Sequence, residues 1–366
     1  MKITSIRLAV ITACIFSIAS ACFALPGVTQ HIPDISGEYV FYRDSSFERE
    51  SYTGFVYYDE STYGVRYYAP AVTSKKQNLP EKDIQLYFTI DATQSHFEPT
   101  GERITGTVTP DDTDLVNYLH DLLYEFTARR QRAGNVTTTV TITQDFEQFG
   151  GDVLIDFNAL IPIFNLQSIK NTKGNVIFTV VATGILSTGA DGATDTSFTD
   201  FKGFPAKLKD KTHSFKQDKK AQKANFTYVK DEHTSQTITL DTQWTQYADN
   251  FFFLGKNALL TFDVVPSNTA VADYTAQLTR SLIRSTKNSY TDWANLSIKN
   301  VQERAVITFP VYDNASNTIM QSCKLVEKLP DGSTAFLILT VYDGAYTKNR
   351  AYFDAVLASY TVTQVQ

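Results

Sequence analysis

Cysteine is nearly absent from the part of this chain that has to fold. Three occur in 366 residues. Cys14 and Cys22 lie in or at the edge of an N-terminal leader, so Cys323 alone belongs to the body and no intrachain disulfide is available. Stability must come from buried apolar area, which a chain of this length permits. Cys323 stands in an alternating stretch, "IMQSCKLVE", with no histidine after His233, and reads as a small core residue rather than a nucleophile. Histidine is scarce too. His31, His96, His120, His213 and His233 are the five, and no two stand at metal-ligand spacing. His120 shares a helix with Asp121 and Tyr124 but lies off its apolar stripe, as an exposed helix histidine would. There is no serine-hydrolase elbow, phosphate-cradling loop or dinucleotide fingerprint. Carboxylates are scattered, so none is nominated for acid–base work. Catalytic, cofactor and metal residues are therefore all read as none. A net charge of -6 argues against a nucleic-acid coat. Beyond the leader no hydrophobic run is long enough to span a bilayer.

The leader reads as an export signal. Lys2 and Arg7 precede an apolar run, Leu8 to Ala19, and no charged residue follows until Asp34. Cleavage after "Cys-Phe-Ala" removes residues 1–24. The competing "Ala-Ser-Ala-Cys" resembles a relaxed bacterial lipobox; its use would remove 1–21 and leave Cys22 acylated. The expectation is a protein of the bacterial periplasm or outer cell envelope, without a transmembrane span and with a lipid anchor as the alternative. Hydrophobic residues make up 43%, aromatics 13% and charged residues 20%, which suits a folded chain of about two domains.

Two halves of the chain present similar elements in the same order. "LVNYLHDLLYEF" (115–126) lines up with "VADYTAQLTRSL" (271–282), so that Tyr118 meets Tyr274, Leu122 meets Leu278 and Phe126 meets Leu282. Spacing by four makes one apolar helical stripe. Each follows a capping-rich start, "TPDDTD" or "PSNTA". Around them "IQLYFTID" matches "NALLTFD", "DVLIDF" matches "RAVITF", and "VIFTVVATG" matches "FLILTVYDG". The expected fold is α+β: two tandem similar modules, each a mainly antiparallel β-sheet with a long helix packed on one face. The division is a signal at 1–24, an N-terminal extension at 25–49, a first module at 50–188, a polar, lysine-rich linker at 189–232 and a second module at 233–366.

Aromatic residues crowd "GFVYYDESTYGVRYYAP" (54–70). Alternation about "DEST" predicts a hairpin with Phe55, Tyr57, Val65 and Tyr67 facing the core, and Tyr58, Arg66 and Tyr68 on the other face. Tyr58 and Tyr68 are thus the candidate ligand-facing aromatics. Between Lys202 and Lys223 stand eight lysines and two aspartates. Lys207, Lys209, Lys211, Lys216, Lys219, Lys220 and Lys223 form a solvated linker face or a patch for an anionic partner.

The closing run of strand, turn, short helix "NRAYFDAVLAS" and strand "YTVTQV" resembles the PsbP/Mog1 group in element order. The resemblance covers about the last 130 residues and, more faintly, 50–188. It implies a binding or assembly-assisting module. The functional expectation is an exported, non-catalytic envelope protein that binds a partner or small ligand; the alternative is an exported hydrolase, for instance on glycans.

Overall fold

Runs of alternating apolar and β-branched residues fold as strands almost throughout. The computed structural model describes residues 32–47, 49–74, 78–89, 112–130, 138–146, 149–158, 160–186, 197–203, 210, 212–266, 271–285, 289–293, 297–301, 304–313 and 318–364. The leader, with Cys22, lies outside them, as do Lys207, Lys209 and Lys211. Strands and helices follow in chain order: β1 (Glu38–Asp44), β2 (Ser51–Asp59), β3 (Thr62–Ala69), β4 (Val72–Thr73), β5 (Asn78–Leu79), β6 (Lys82–Thr89), α1 (Thr113–Arg130), β7 (Thr138–Phe146), β8 (Gly151–Phe157), β9 (Leu166–Asn171), β10 (Val176–Ile185) and α2 (Ser197–Asp200). Then come β11 (Lys223–Val229), β12 (Thr234–Asp241), β13 (Thr245–Ala248), β14 (Phe251–Leu254), β15 (Ala258–Val265), α3 (Val271–Ser285), β16 (Ser289–Asp292), β17 (Ser297–Val301) and β18 (Arg304–Asp313). The last are β19 (Thr318–Lys328), β20 (Thr334–Tyr342), α4 (Asp343–Tyr346), α5 (Arg350–Ala358) and β21 (Thr361–Gln364).

This corrects the α+β expectation. Among the described residues twenty-one strands face five helices, two of them single turns of four residues. The architecture is mainly antiparallel β, and the helices are subordinate. Helical stripes were legible because four-residue spacing is a local property. What organises each unit is strand pairing, which local spacing does not report.

The chain divides into two units. One combines Thr29–Phe204 with Thr279–Ala294. Its strands run in the order β6-β3-β2-β1-β10-β9-β8-β7, with the short β16 also beside β10. Residues 38–44, inside the stretch read as an N-terminal extension, form β1 between β2 and β10. The sheet centre is buried on both faces, which is why β1 reads "EYVFYRD" rather than as a clean alternation. On one side Phe41 stacks on Phe201 at 4.3 Å and lies 5.0 Å from Phe198. On the other Tyr42 stacks on Phe178 at 4.7 Å, and Phe126 of α1 meets Tyr42, Phe55 and Phe164. Gly54 makes room for this: a Cβ there would fall 2.3 Å from the Phe41 ring.

The other unit contains Pro205–Leu278 and Asn295–Gln366. Its larger sheet runs β13-β14-β15-β20-β19-β18, with β17 paired to β18, and a second sheet runs β11-β12-β21. Leu260, Phe262, Leu337, Leu339 and Val341 share a core with Ile238, Leu240, Phe353 and Val356. Trp244 Nε1 donates to the Tyr352 hydroxyl at 2.8 Å, and Tyr360 donates to Gln236 Oε1 at 2.8 Å. The matched elements keep their order along the chain but not their partners. "NALLTFD" in β15 lies directly against "FLILTVYDG" in β20, whereas "IQLYFTID" in β6 pairs with β3 and "VIFTVVATG" in β10 pairs with β1. Apolar alternation makes a strand without choosing its neighbour.

Candidate functional site

The aromatic hairpin is present and is covered on both sides. β2 and β3 pair from Tyr52↔Tyr68 to Asp59↔Thr62, and Asp59 Oδ1 accepts from the Ser61 backbone at 2.8 Å to fix the exposed turn. Phe55, Val65 and Tyr67 are buried and Tyr57 is half-buried. The opposite face is occupied too. Arg66 is fully buried, bonded through Nε and Nη2 to Asp83 (2.8 and 2.7 Å) and through Nη1 to the carbonyls of Phe198 and Phe201 (both 2.7 Å). The segment 197–203, within the stretch read as linker, thereby seals this face. Tyr68 is 3% exposed, stacked with Tyr52 and approached by the Lys202 ammonium at 5.5 Å. Tyr58 is half-buried; it stacks on Tyr87 at 6.0 Å and overlies Gly64, where a Cβ would meet its ring at 3.3 Å. Both tyrosines have a packing role that accounts for them.

Among the buried titratable groups elsewhere are Asp44 and the Asp210–His213 pair. In the first unit Asp44 accepts from the Ser46 amide at 2.9 Å and from the Tyr118 hydroxyl at 2.5 Å. Burial pushes its carboxyl above the ordinary value, against the lowering effect of those bonds. A raised carboxyl value contributes stability fully below the unfolded-chain value and loses it as pH climbs through the folded one. Asp44→Asn should therefore gain on the unmodified protein as pH rises from below the ordinary carboxylate range to neutral, as urea unfolding at both ends would show. An unchanged difference would contradict this. In the other unit burial opposes ionisation of Asp210, but bonds from the amides of His213 and Thr212 and from the His213 ring outweigh it and lower its value. His213 stacks on Tyr342 at 3.6 Å. A Cβ on Gly344 would meet the His213 carbonyl at 2.4 Å, so this dyad is packed shut. His120 is half-buried beside Asp121, and His233 is exposed. Among the described residues no group of three or more His, Cys, Asp or Glu could hold a metal ion.

A groove of about 430 Å³ opens in the second unit between the β11–β12 ribbon and α5. Lys223, Thr239 and Asp241 form one wall, and Gln217 stands beside them. Ala351, Ala355 and Ser359, four apart and so on one helical stripe, form the other with Tyr352 and Val356. Ser359 Oγ is committed, donating to the Val356 carbonyl at 2.7 Å and accepting from the Thr239 amide at 3.1 Å. Asp241 accepts from the Gln243 amide at 3.0 Å. Burial, then the bond from Trp244 working against it, then the Asp241 charge set the Tyr352 phenol; the net effect is upward, so it keeps its proton. Lys223 on the wall is exposed, as are Lys216, Lys219 and Lys220 shortly before it in the chain, and among the described residues none of the four is in an ion pair. The lysine run was legible in sequence; the groove beside it was not, because α5 lies more than a hundred residues further along.

Residues 37–198 match a domain of unknown function (DUF7954) and residues 228–361 another (DUF7955), so the chain carries two domains of unknown function in tandem. No curated protein matches. Among solved structures the chain is similar to cyanobacterial PsbP (CyanoP) from Synechocystis, at 12% identity and a TM-score of 0.27 over 39% of this chain and 93% of that one. It is also similar to a porin-like protein from Bacteroides uniformis, at 8% identity and a TM-score of 0.15 over 86% of this chain and 99% of that one. Both are loose likenesses. Among the described residues no helix is long and apolar enough to cross a membrane.

Proposed function

We propose that this is an exported, non-catalytic protein of a bacterial cell envelope, which binds an acidic partner segment at the groove between β11–β12 and α5. Were the lipobox used, Cys22 would tether it. The observation behind this reading is the conjunction of a groove walled by Ala351 and Ala355 with the exposed Lys223 on its other wall, preceded in the chain by exposed Lys216, Lys219 and Lys220. Small side chains leave room for a chain to lie close to the helix, and the lysines favour carboxylates that approach it. The hydrolase alternative would need a second carboxylate facing Asp241. Among the residues lining the groove, Asp241 is the one carboxylate.

Titrating the mature chain with a fluorescent oligoglutamate peptide tests the reading. Binding should weaken with salt, and Lys223→Glu should raise the dissociation constant by about tenfold. Ala355→Trp, which fills the groove from an exposed helix position, should abolish binding while thermal stability stays unchanged. Equal affinity in all three proteins would remove the groove from consideration.

A further inference from the structure

Edge strands invite pairing, and folded proteins commonly blunt them with proline, a bulge or an inward-pointing charge. β11 has no proline and no bulge, and its one charge is Lys223 at the first position. It pairs with β12 over seven consecutive residues, Lys223↔Asp241 to Val229↔Ser235, without a register shift. Its other edge carries no strand among the described residues, and five of its seven residues are exposed. Val229 is 64% exposed.

The ladder also tells which groups face outward. The Lys230 amide donates to Thr234 O at 3.0 Å and the Thr242 amide to Gln222 O at 2.9 Å. Bonded pairs in an antiparallel ladder recur at every second residue, so even-numbered residues of this strand spend their amides and carbonyls on β12. Those of Lys223, Asn225, Thr227 and Val229 point to the open edge.

We propose that β11 is the contact strand of a two-fold homodimer, pairing antiparallel with β11 of a second copy. A register centred on Phe226 sets Asn225 opposite Thr227 and Lys223 opposite Val229, all from the outward-pointing set. The two β11-β12-β21 sheets then become one of six strands. Side chains suit this register. On one face the half-buried Phe226 meets its own copy and Ala224 meets Tyr228. On the other the aliphatic stem of Lys223 covers Val229. Charge selects the direction. Exposed Lys219 and Lys220 precede the strand, and exposed Asp231 and Glu232 follow it. Antiparallel pairing brings the basic end of one copy to the acidic end of the other, whereas parallel pairing would set lysine against lysine.

Sedimentation equilibrium of the mature chain should show a dimer that weakens with salt. Thr227→Pro deletes an outward amide in each copy and leaves the bonds to β12 in place. It should raise the dimer dissociation constant by roughly tenfold or more with no change in circular dichroism. Asn225→Cys combined with Thr227→Cys should oxidise to a covalent dimer, because these positions face each other across the two-fold axis. Ser235→Cys, on β12, should give none. A chain that stays monomeric at the highest soluble concentration overturns the proposal. So does a dimer indifferent to Thr227→Pro, or cross-linking of this edge to a different polypeptide.

Discussion

Methionine in place of Arg280 should cost the protein about 3–5 kcal/mol of stability, the range for breaking a buried ion pair from one side. Arg280 is fully buried. Its Nη2 donates to Asp34 Oδ1 at 2.9 Å and to both Glu38 oxygens at 3.0 and 2.9 Å, and Arg284 Nε reaches Glu38 Oε1 at 3.0 Å. The carboxylates serve the backbone as well. Glu38 accepts from the Ile35 amide at 2.9 Å, and Asp34 accepts from the Ile163 amide at 2.8 Å. Ile163 has φ 73°, a conformation costly for a β-branched residue, so the Asp34 bond helps to hold a strained turn. Without Arg280, Asp34 loses the guanidinium bonded to it and Glu38 loses one of its two. Urea unfolding measures the loss. Adding Glu38→Gln should cost less than the sum of the two single changes, since both act in one network. A loss under about 1 kcal/mol for Arg280→Met would place the pair in the class of exposed, screened salt bridges.

Alanine at Tyr67 and alanine at Tyr68 should each cost about 3 kcal/mol or more, the usual price of truncating a large buried aromatic. Neighbouring residues in a strand point to opposite faces, and alternation alone would leave Tyr68 on a solvent-facing side. Yet both are 3% exposed. Tyr67 meets Phe47 edge-on at 5.4 Å, while Tyr68 lies against Tyr52, with Arg66 at 5.4 Å from its ring. Thermal unfolding of the two variants decides the matter. A small loss for Tyr68→Ala alone would mean that the segment 197–203 covers the sheet only loosely, and would return Tyr68 to the list of ligand-facing candidates.

Local features were legible in the sequence, and long-range ones were not. "DEST" announced its turn, and the four-residue stripe of Tyr118, Leu122 and Phe126 announced α1, because both depend on neighbours along the chain. Arg66 looked like an outward-facing cation because the carbonyls it binds belong to Phe198 and Phe201. Nothing near Glu38 hinted at Arg280, 242 positions away. Lys223 stood out as part of a lysine run, but across the groove from it stand Ala351 and Ala355 of α5, which signal nothing by themselves. Pairing order was hidden for the same reason: β6 and β15 share a pattern, and their partners are chosen by contacts that no short window contains.

The unit built from Thr29–Phe204 and Thr279–Ala294 has a consequence for a chain that emerges from the ribosome amino end first. β10 receives Thr291 and Asp292 of β16 along its edge, and Trp293 donates to the Thr183 hydroxyl at 2.7 Å. Until those residues have been made, the nascent sheet has an open edge at β10, and Glu38 has no guanidinium. Long-range closure of this kind is slow and exposes sticky intermediates. Such a polypeptide would gain from a holdase while its later half is still being translated. The same geometry makes the matched span 37–198 a poor place to cut: excised there, the fragment would carry Glu38 of a buried network and leave Asp34 and both arginines behind.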